Sequence, residues 1–281
     1  MPHSGLLRYQ SFHRRDVHAG PSQGGTALLT RVASVSLGVS GMVAYNWWVF
    51  VPMVPGLMRS PDELFSDLEA TGRPDAVIMQ HLDLAAGLLL LAALMMARRR
   101  WDRSGRTEHL ALMLFAAAGA VGGIFTESCP EGLSAVCRRM EWTLQLPLHH
   151  YIHILTGVVE FASITAVLVL AHRRTRGDAT HSAAIYRSLT MTFSIAYPLL
   201  ALSYLTNQDG ALMEAVFFVG FTAIVLIELF EHIVGEVACT TQVTDVLQPS
   251  PSVLLNNQLG TGNLQDDETT KRATHGGCFL S

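Results

Sequence analysis

Charge is scarce in this chain, and so is lysine. Charged residues make up 15% of its 281 positions, against ~25% in a soluble domain. Net charge is only −4, which gives no reason to expect a nucleic-acid partner. Lys271 is the one lysine; arginine supplies the rest of the basic residues. No short apolar segment with a small-residue cleavage site precedes the first long apolar run, so no cleaved leader is expected. No internal repeat of fixed period is visible either. Four cysteines and a hydrophobic content of 49% complete the picture. Apolar runs with so little polar face suit lipid better than a soluble core.

Six such runs are present, at Thr30–Val54, Ala76–Ala97, Glu108–Thr126, Leu148–Ala171, Ala184–Thr206 and Leu212–Val234. A span needs ~20 residues to cross a ~30 Å hydrocarbon core. Backbone in lipid must satisfy its own hydrogen bonds, so each run is read as a helix. The predicted fold is all-α: six transmembrane helices in a bundle, with both termini cytoplasmic. That orientation follows from arginine. All basic residues except Arg59, Arg73, Arg138 and Arg139 fall on one side of the spans, and basic flanks resist translocation. The expected location is a multi-pass protein of the plasma membrane. Residues 1–29 are expected as a flexible cytoplasmic tail, 30–236 as the membrane domain, and 237–281 as a disordered cytoplasmic tail. The first outer loop carries Asp62-Glu63-Leu64-Phe65-Ser66-Asp67-Leu68-Glu69, a pattern that predicts a short amphipathic helix lying on the surface.

Several features occur in a recognisable order. Tyr45-Asn46-Trp47-Trp48 ends the first run, and Ser66-Asp67-Leu68-Glu69-Ala70-Thr71-Gly72-Arg73-Pro74 follows. Asp83-Leu84-Ala85-Ala86-Gly87 opens the second. Cys129-Pro130, Cys137 and a histidine-bearing entry into the fourth complete the series. In this the chain resembles the domain-of-unknown-function 998 family of six-helix bacterial integral membrane proteins, over roughly residues 34–234. The resemblance implies a fold and a membrane location but no reaction.

Cys129 and Cys137 lie in a loop placed outside, where oxidation is permitted, and a disulfide is expected. Cys278-Phe279-Leu280-Ser281 fits the prenylation pattern, making Cys278 a lipidation candidate alongside Cys239.

Charged groups inside spans cost ~3 kcal/mol or more, so each calls for a reason. The densest set gathers near the outer face: His81, Asp83, Glu127, His149, His153 and Glu160. His149 and His153 share one helical face, and Glu160 lies two turns further along it. Two readings stand open. The cluster binds zinc through His149 and His153, or it handles protons with Glu160 or Asp83 as carrier. Against these, His149 and His150 are read as interfacial groups with polar tips in water. Trp47 and Trp48 are read as an interfacial belt. No cofactor other than zinc is suggested. Gly119, Gly122 and Gly123 permit close helix packing, and Pro198 predicts a kink. At the inner end, Glu228, Glu231 and His232 are expected to pair with Arg98–Arg100 or Arg173–Arg174.

The leading functional reading is a non-catalytic membrane protein. Its partners would be the bilayer and a lipid or small molecule held in an outward-facing polar cavity. The alternatives are a membrane-embedded metal-dependent lipid hydrolase and a proton-coupled small transporter.

Overall fold

The computed structural model describes residues 22–60, 62–98, 101, 105–206, 208 and 210–233. Cys239, Cys278 and the expected tails, apart from residues 22–29, lie outside them. Among the described residues the fold is all-helical. Its helices are α1 (Ser22–Tyr45), α2 (Ala76–Ala97), α3 (Arg106–Gly122), α4 (Ala135–Trp142), α5 (Leu148–Arg174), α6 (His181–Thr206) and α7 (Gly210–Ile233). Two 3-10 turns, Trp47–Met53 and Ser66–Glu69, lie between α1 and α2.

Among the described residues, five helical segments are long and apolar enough to cross a membrane: Leu28–Met53, Ala76–Ala97, Leu148–Arg174, His181–Thr206 and Gly210–Glu231. The third expected span, Glu108–Thr126, falls on α3, whose 17 residues stop at Gly122 and which is not one of those five. α1 begins at Ser22, ahead of the expected Thr30. Large apolar side chains such as Leu88, Leu110, Leu155, Leu199 and Val219 stand exposed on the bundle's outside, as lipid-facing residues do. α6 continues through Pro198 as one helix.

α1 packs on α2, α2 on α3, α3 on α5, and α6 on α7. The close α2–α3 crossing depends on missing side chains. A Cβ on Gly87 would lie 2.4 Å from the backbone nitrogen of Ala120, and one on Gly123 would lie 2.5 Å from that of Leu84. Hydrogen bonds add registration: Ser34 Oγ donates to the Ala93 carbonyl (2.7 Å) and Asn46 Nδ2 to Thr222 Oγ1 (2.9 Å). Between α5, α6 and α7 the core is aromatic, with Phe161, Phe193, Tyr197, Phe217 and Phe221 in mutual edge or tilted contact.

The segment between α1 and α2 departs from expectation. In place of a surface helix over 62–69 there is one 3-10 turn, and Glu63, Asp67, Leu68, Glu69 and Ala70 are all buried. Phe65 and Leu68 pack with Trp47, Val51, Leu57 and Met79 in a small second core. The segment plugs the end of the bundle. The physical reason is that its irregular backbone finds acceptors inside. Glu63 takes the Arg59 N–H (2.9 Å), and Asp67 takes those of Leu64 (3.0 Å) and Gly132 (3.2 Å). Glu214 of α7 takes the Phe65 N–H. Arg73 closes the turn, pairing with Glu63 and donating to the Leu57 carbonyl (2.9 Å).

Two glycines test this packing. Gly87→Val drives a side chain into the α3 backbone and should cost more than ~3 kcal/mol, the upper end of overpacking penalties. Gly157 has open space where a Cβ would stand, so Gly157→Ala should stabilise by ~0.5–1 kcal/mol through helix propensity. Thermal unfolding of the detergent-solubilised protein checks both, and equal effects from the two changes would contradict the packing.

Candidate functional site

The candidate cluster comes from α2, α5 and the α3–α4 loop, and the structure brings most of it to the plugged end. Asp83, about two turns into α2, accepts a hydrogen bond from the Trp47 indole N–H (2.8 Å). Its carboxyl stands beside that of Glu69 in the plug. Burial, then the adjacent Asp83, pushes the Glu69 carboxyl well above the ordinary carboxylate range. Trp47 is therefore buried and bonded inward; it is not part of an interfacial belt.

Glu160 of α5 faces the same region. Gly119 makes room for it: a Cβ there would lie 3.4 Å from Glu160 Oε1. Asp83, Glu160, Tyr45, Gly87, Phe115 and Gly119 are among the residues lining one cavity in the bundle. The space open to a water-sized molecule is about 30 Å³, enough for roughly two waters. The Tyr45 hydroxyl, buried at this cavity, has no hydrogen-bond partner.

Glu127 and His153 stand beside it. His153 Nδ1 lies 2.8 Å from the Phe125 carbonyl and 3.3 Å from that of Gly122. Carbonyls only accept, so Nδ1 carries the proton and Nε2 is left facing Glu127 Oε1 at 3.6 Å. Burial, then the charge of Asp67, holds the Glu127 carboxyl well above its ordinary range. The Glu127 backbone carbonyl receives both the N–H (2.9 Å) and the hydroxyl (3.0 Å) of Thr71, tying the plug to the α3–α4 loop.

The remaining candidates separate. His81 is exposed and bonds the Val77 carbonyl on its own helix, so it stands apart from the cluster. His149 Nε2 meets Ser128 Oγ at 3.1 Å, a different partner set from that of His153. Among the described residues no group of three His, Cys, Asp or Glu side chains is placed to hold a metal ion. Cys129 and Cys137 are disulfide-bonded, with Cα atoms 6.1 Å apart.

A second polar network was not foreseen as such. His150 is 1% exposed, not interfacial with its tip in water. Its Nδ1 accepts the Ser128 N–H (3.2 Å), so Nε2–H donates to Glu141 Oε2 (3.2 Å). Tyr204 of α6 donates to Glu141 and lies 3.0 Å from Glu131. Glu131 shares a side-chain hydrogen bond with Glu141, and burial followed by that bond pushes its pKa up to about 8. At the opposite end Arg174 joins Glu228 (2.8 Å), Glu231 (3.3 Å) and Glu108 (3.3 Å). The expected pairing of Glu228 and Glu231 with an inner arginine is thus present. Tyr186 adds a 2.6 Å bond to Glu228.

Sequence reasoning missed Glu69, Tyr45 and Glu141. Glu69 was hidden in a loop read as surface helix. Tyr45 and Glu141 carried no spacing signal.

Several apolar helices long enough to span, closed at one end by a folded-in loop, define a multi-pass helical membrane protein. The chain belongs to the family described as Protein of unknown function (DUF998), whose model matches residues 25–229. No curated protein and no solved structure matches it.

The Glu131–Glu141 pair gives a signed pH prediction. The Glu131 pKa is 4.5 unfolded and about 8 folded. Its stabilising contribution is complete below pH ~4.5 and is lost as pH rises through about 8. Glu131→Gln keeps the bond to Glu141 without a titrating proton. It should match the wild type at pH 5 and exceed it in thermal stability at pH 9. A wild type equally stable at both, with no gain from the substitution, would overturn the shared-proton assignment.

Proposed function

We propose that this is a six-span integral membrane protein, with the plugged end outside and both termini cytoplasmic. In this reading it binds a small molecule bearing a cationic or donor-rich group in the cavity between Asp83 and Glu160. α3 supports the sixth span. Its 17 residues rise about 25 Å, and it lies between α2 and α5 with Leu110 and Leu114 exposed. The arginine asymmetry supports the orientation. The observation that carries the binding reading is that two carboxyls from different helices line one cavity, with no basic side chain among its described lining residues. A ligand with N–H donors would satisfy Asp83, Glu160 and the Tyr45 hydroxyl together. The present cavity is small, so a ligand larger than water requires its walls to shift.

A proton held on the buried Glu69 carboxyl beside Asp83 favours a second reading, proton-coupled transport. A cation arriving at Asp83 competes with that proton, so binding would release it. For the metal-dependent hydrolase there is no comparable support, since His149 and His153 serve separate partners.

Orientation is tested with an impermeant maleimide on intact cells. Cys129 and Cys137 are bonded to each other, so the wild type offers only Cys239 and Cys278. No label is expected until the cells are permeabilised, whereas Arg59→Cys should label in intact cells; the reverse would invert the topology. For binding, a series of ammonium compounds of rising size is screened by thermal shift. A ligand at 100 times its dissociation constant adds ~2.7 kcal/mol. Stabilisation of wild type that is lost in both Asp83→Asn and Glu160→Gln is the expected result. If every compound acts equally on the three proteins, the cavity is not the site.

A further inference from the structure

α4 is the one helix of the described fold that neither spans nor belongs to the bundle core, and its two faces differ sharply. The inward face is held by named contacts. Cys137 is fixed by the disulfide, and the Ser134 hydroxyl caps the first turn by accepting the Cys137 N–H at 3.2 Å. Glu141 is bonded by His150 and Tyr204, and the Arg138 guanidinium lies 5.4 Å from the Tyr204 ring centre. That face cannot roll outward without breaking all of these. The other face is therefore fixed too. It exposes Val136 (68%) and Trp142 (59%), followed in the connection to α5 by Leu144 (78%) and Leu148 (74%). Exposed Arg139 sits among them.

Such an apolar strip would be a liability in water. It is continuous with surfaces already turned to hydrocarbon. The Trp142 ring lies 6.0 Å from that of Tyr204 on α6, whose neighbours Leu202 and Leu205 are exposed. Leu148 begins α5, whose exposed Leu155 and Val158 follow along the span. The strip stands at the level of helix ends, where hydrocarbon gives way to headgroups. Tryptophan and arginine beside aliphatic groups are the residues that suit that boundary.

We propose that α4 lies in the membrane plane at the headgroup–acyl boundary. Val136, Trp142, Leu144 and Leu148 enter the upper acyl region, and Arg139 meets lipid phosphate. The occupant of this surface is phospholipid of the leaflet on the plugged side. This reading needs only the membrane-spanning fold and is independent of what the cavity binds.

The test uses the full chain in lipid nanodiscs. Trp142 fluorescence is isolated as the difference between wild type and Trp142→Phe. Lipids brominated high on the acyl chain should remove most of that difference signal, while aqueous iodide leaves it nearly unchanged. Quenching by iodide but not by bromolipid would place Trp142 in water and overturn the proposal. Silence to both quenchers would show a protein cover, a partner or a second copy, and would overturn it equally. If Trp142→Phe is not recovered folded, Leu144→Trp adds a reporter on the same strip and is read in the same way.

Discussion

The placement of the Glu69 carboxyl beside that of Asp83 is the constraint on which the plugged end is built. Asp83 stands on a helix that must run through hydrocarbon, and an unpaired carboxylate there is costly. Glu69 supplies a partner of the same kind, and the indole N–H of Trp47 supplies a donor. Because the partner comes from the α1–α2 connection, accommodating Asp83 also fixes where that connection goes. The rest of the plug follows the same logic. A segment without regular structure leaves backbone N–H groups to be satisfied, and here acids satisfy them: Glu63 for Arg59, Asp67 for Leu64 and Gly132, Glu214 for Phe65. Acidic residues that look like a solvent-facing loop are its internal acceptors.

The two ends of the bundle solve the same electrostatic problem differently. Around Arg174, carboxylates from α3 and α7 are balanced by a permanent cation whose guanidinium meets three acids. Such a cluster is costly to break once formed, and it clamps α3, α5 and α7. At the plugged end protons do much of that neutralising, and protons exchange. A protonated carboxyl can give up its proton to a different positive partner without leaving a buried cation behind. That difference, more than the count of acids, sets the plugged end apart from the Arg174 end.

The helices were legible because hydrocarbon imposes a length and forbids alternatives. Expected and observed boundaries at Ala76–Ala97 and the start of α5 at Leu148 coincide, and Gly123 makes the close approach expected of it. Glu228 was also legible, since a buried acid near many arginines has one economical solution. The plug was not. Leu64, Phe65 and Leu68 with intervening acids fit an amphipathic surface helix and a buried turn equally well. What decides is the acceptor side chain on the same or a distant element, such as Glu214. Trp47 and His150 failed for a related reason. Both are amphipathic residues near a span end, where the choice between headgroup and interior depends on partners, Asp83 for one and Ser128 with Glu141 for the other. Glu69 fits the polar face of that amphipathic pattern, so the pattern alone does not separate it from a solvent-facing acid.

Access to the cavity follows from the packing. Entry between helices is closed where glycines bring backbones together: a Cβ on Gly41 would lie 3.0 Å from the Ala86 carbonyl, and Gly87 is tighter still against α3. Those crossings flank the cavity on the α1–α2 and α2–α3 sides. At the opposite end lies the Arg174 clamp. The plug is attached to α2 by the Gln80 amide, which donates to the Glu69 carbonyl (2.6 Å), and it sets the Glu69 carboxyl beside Asp83. In the proposed reading, a ligand that displaced the plug would meet Asp83 as that acid lost its neighbour, and protonation and occupancy would be linked through one side chain.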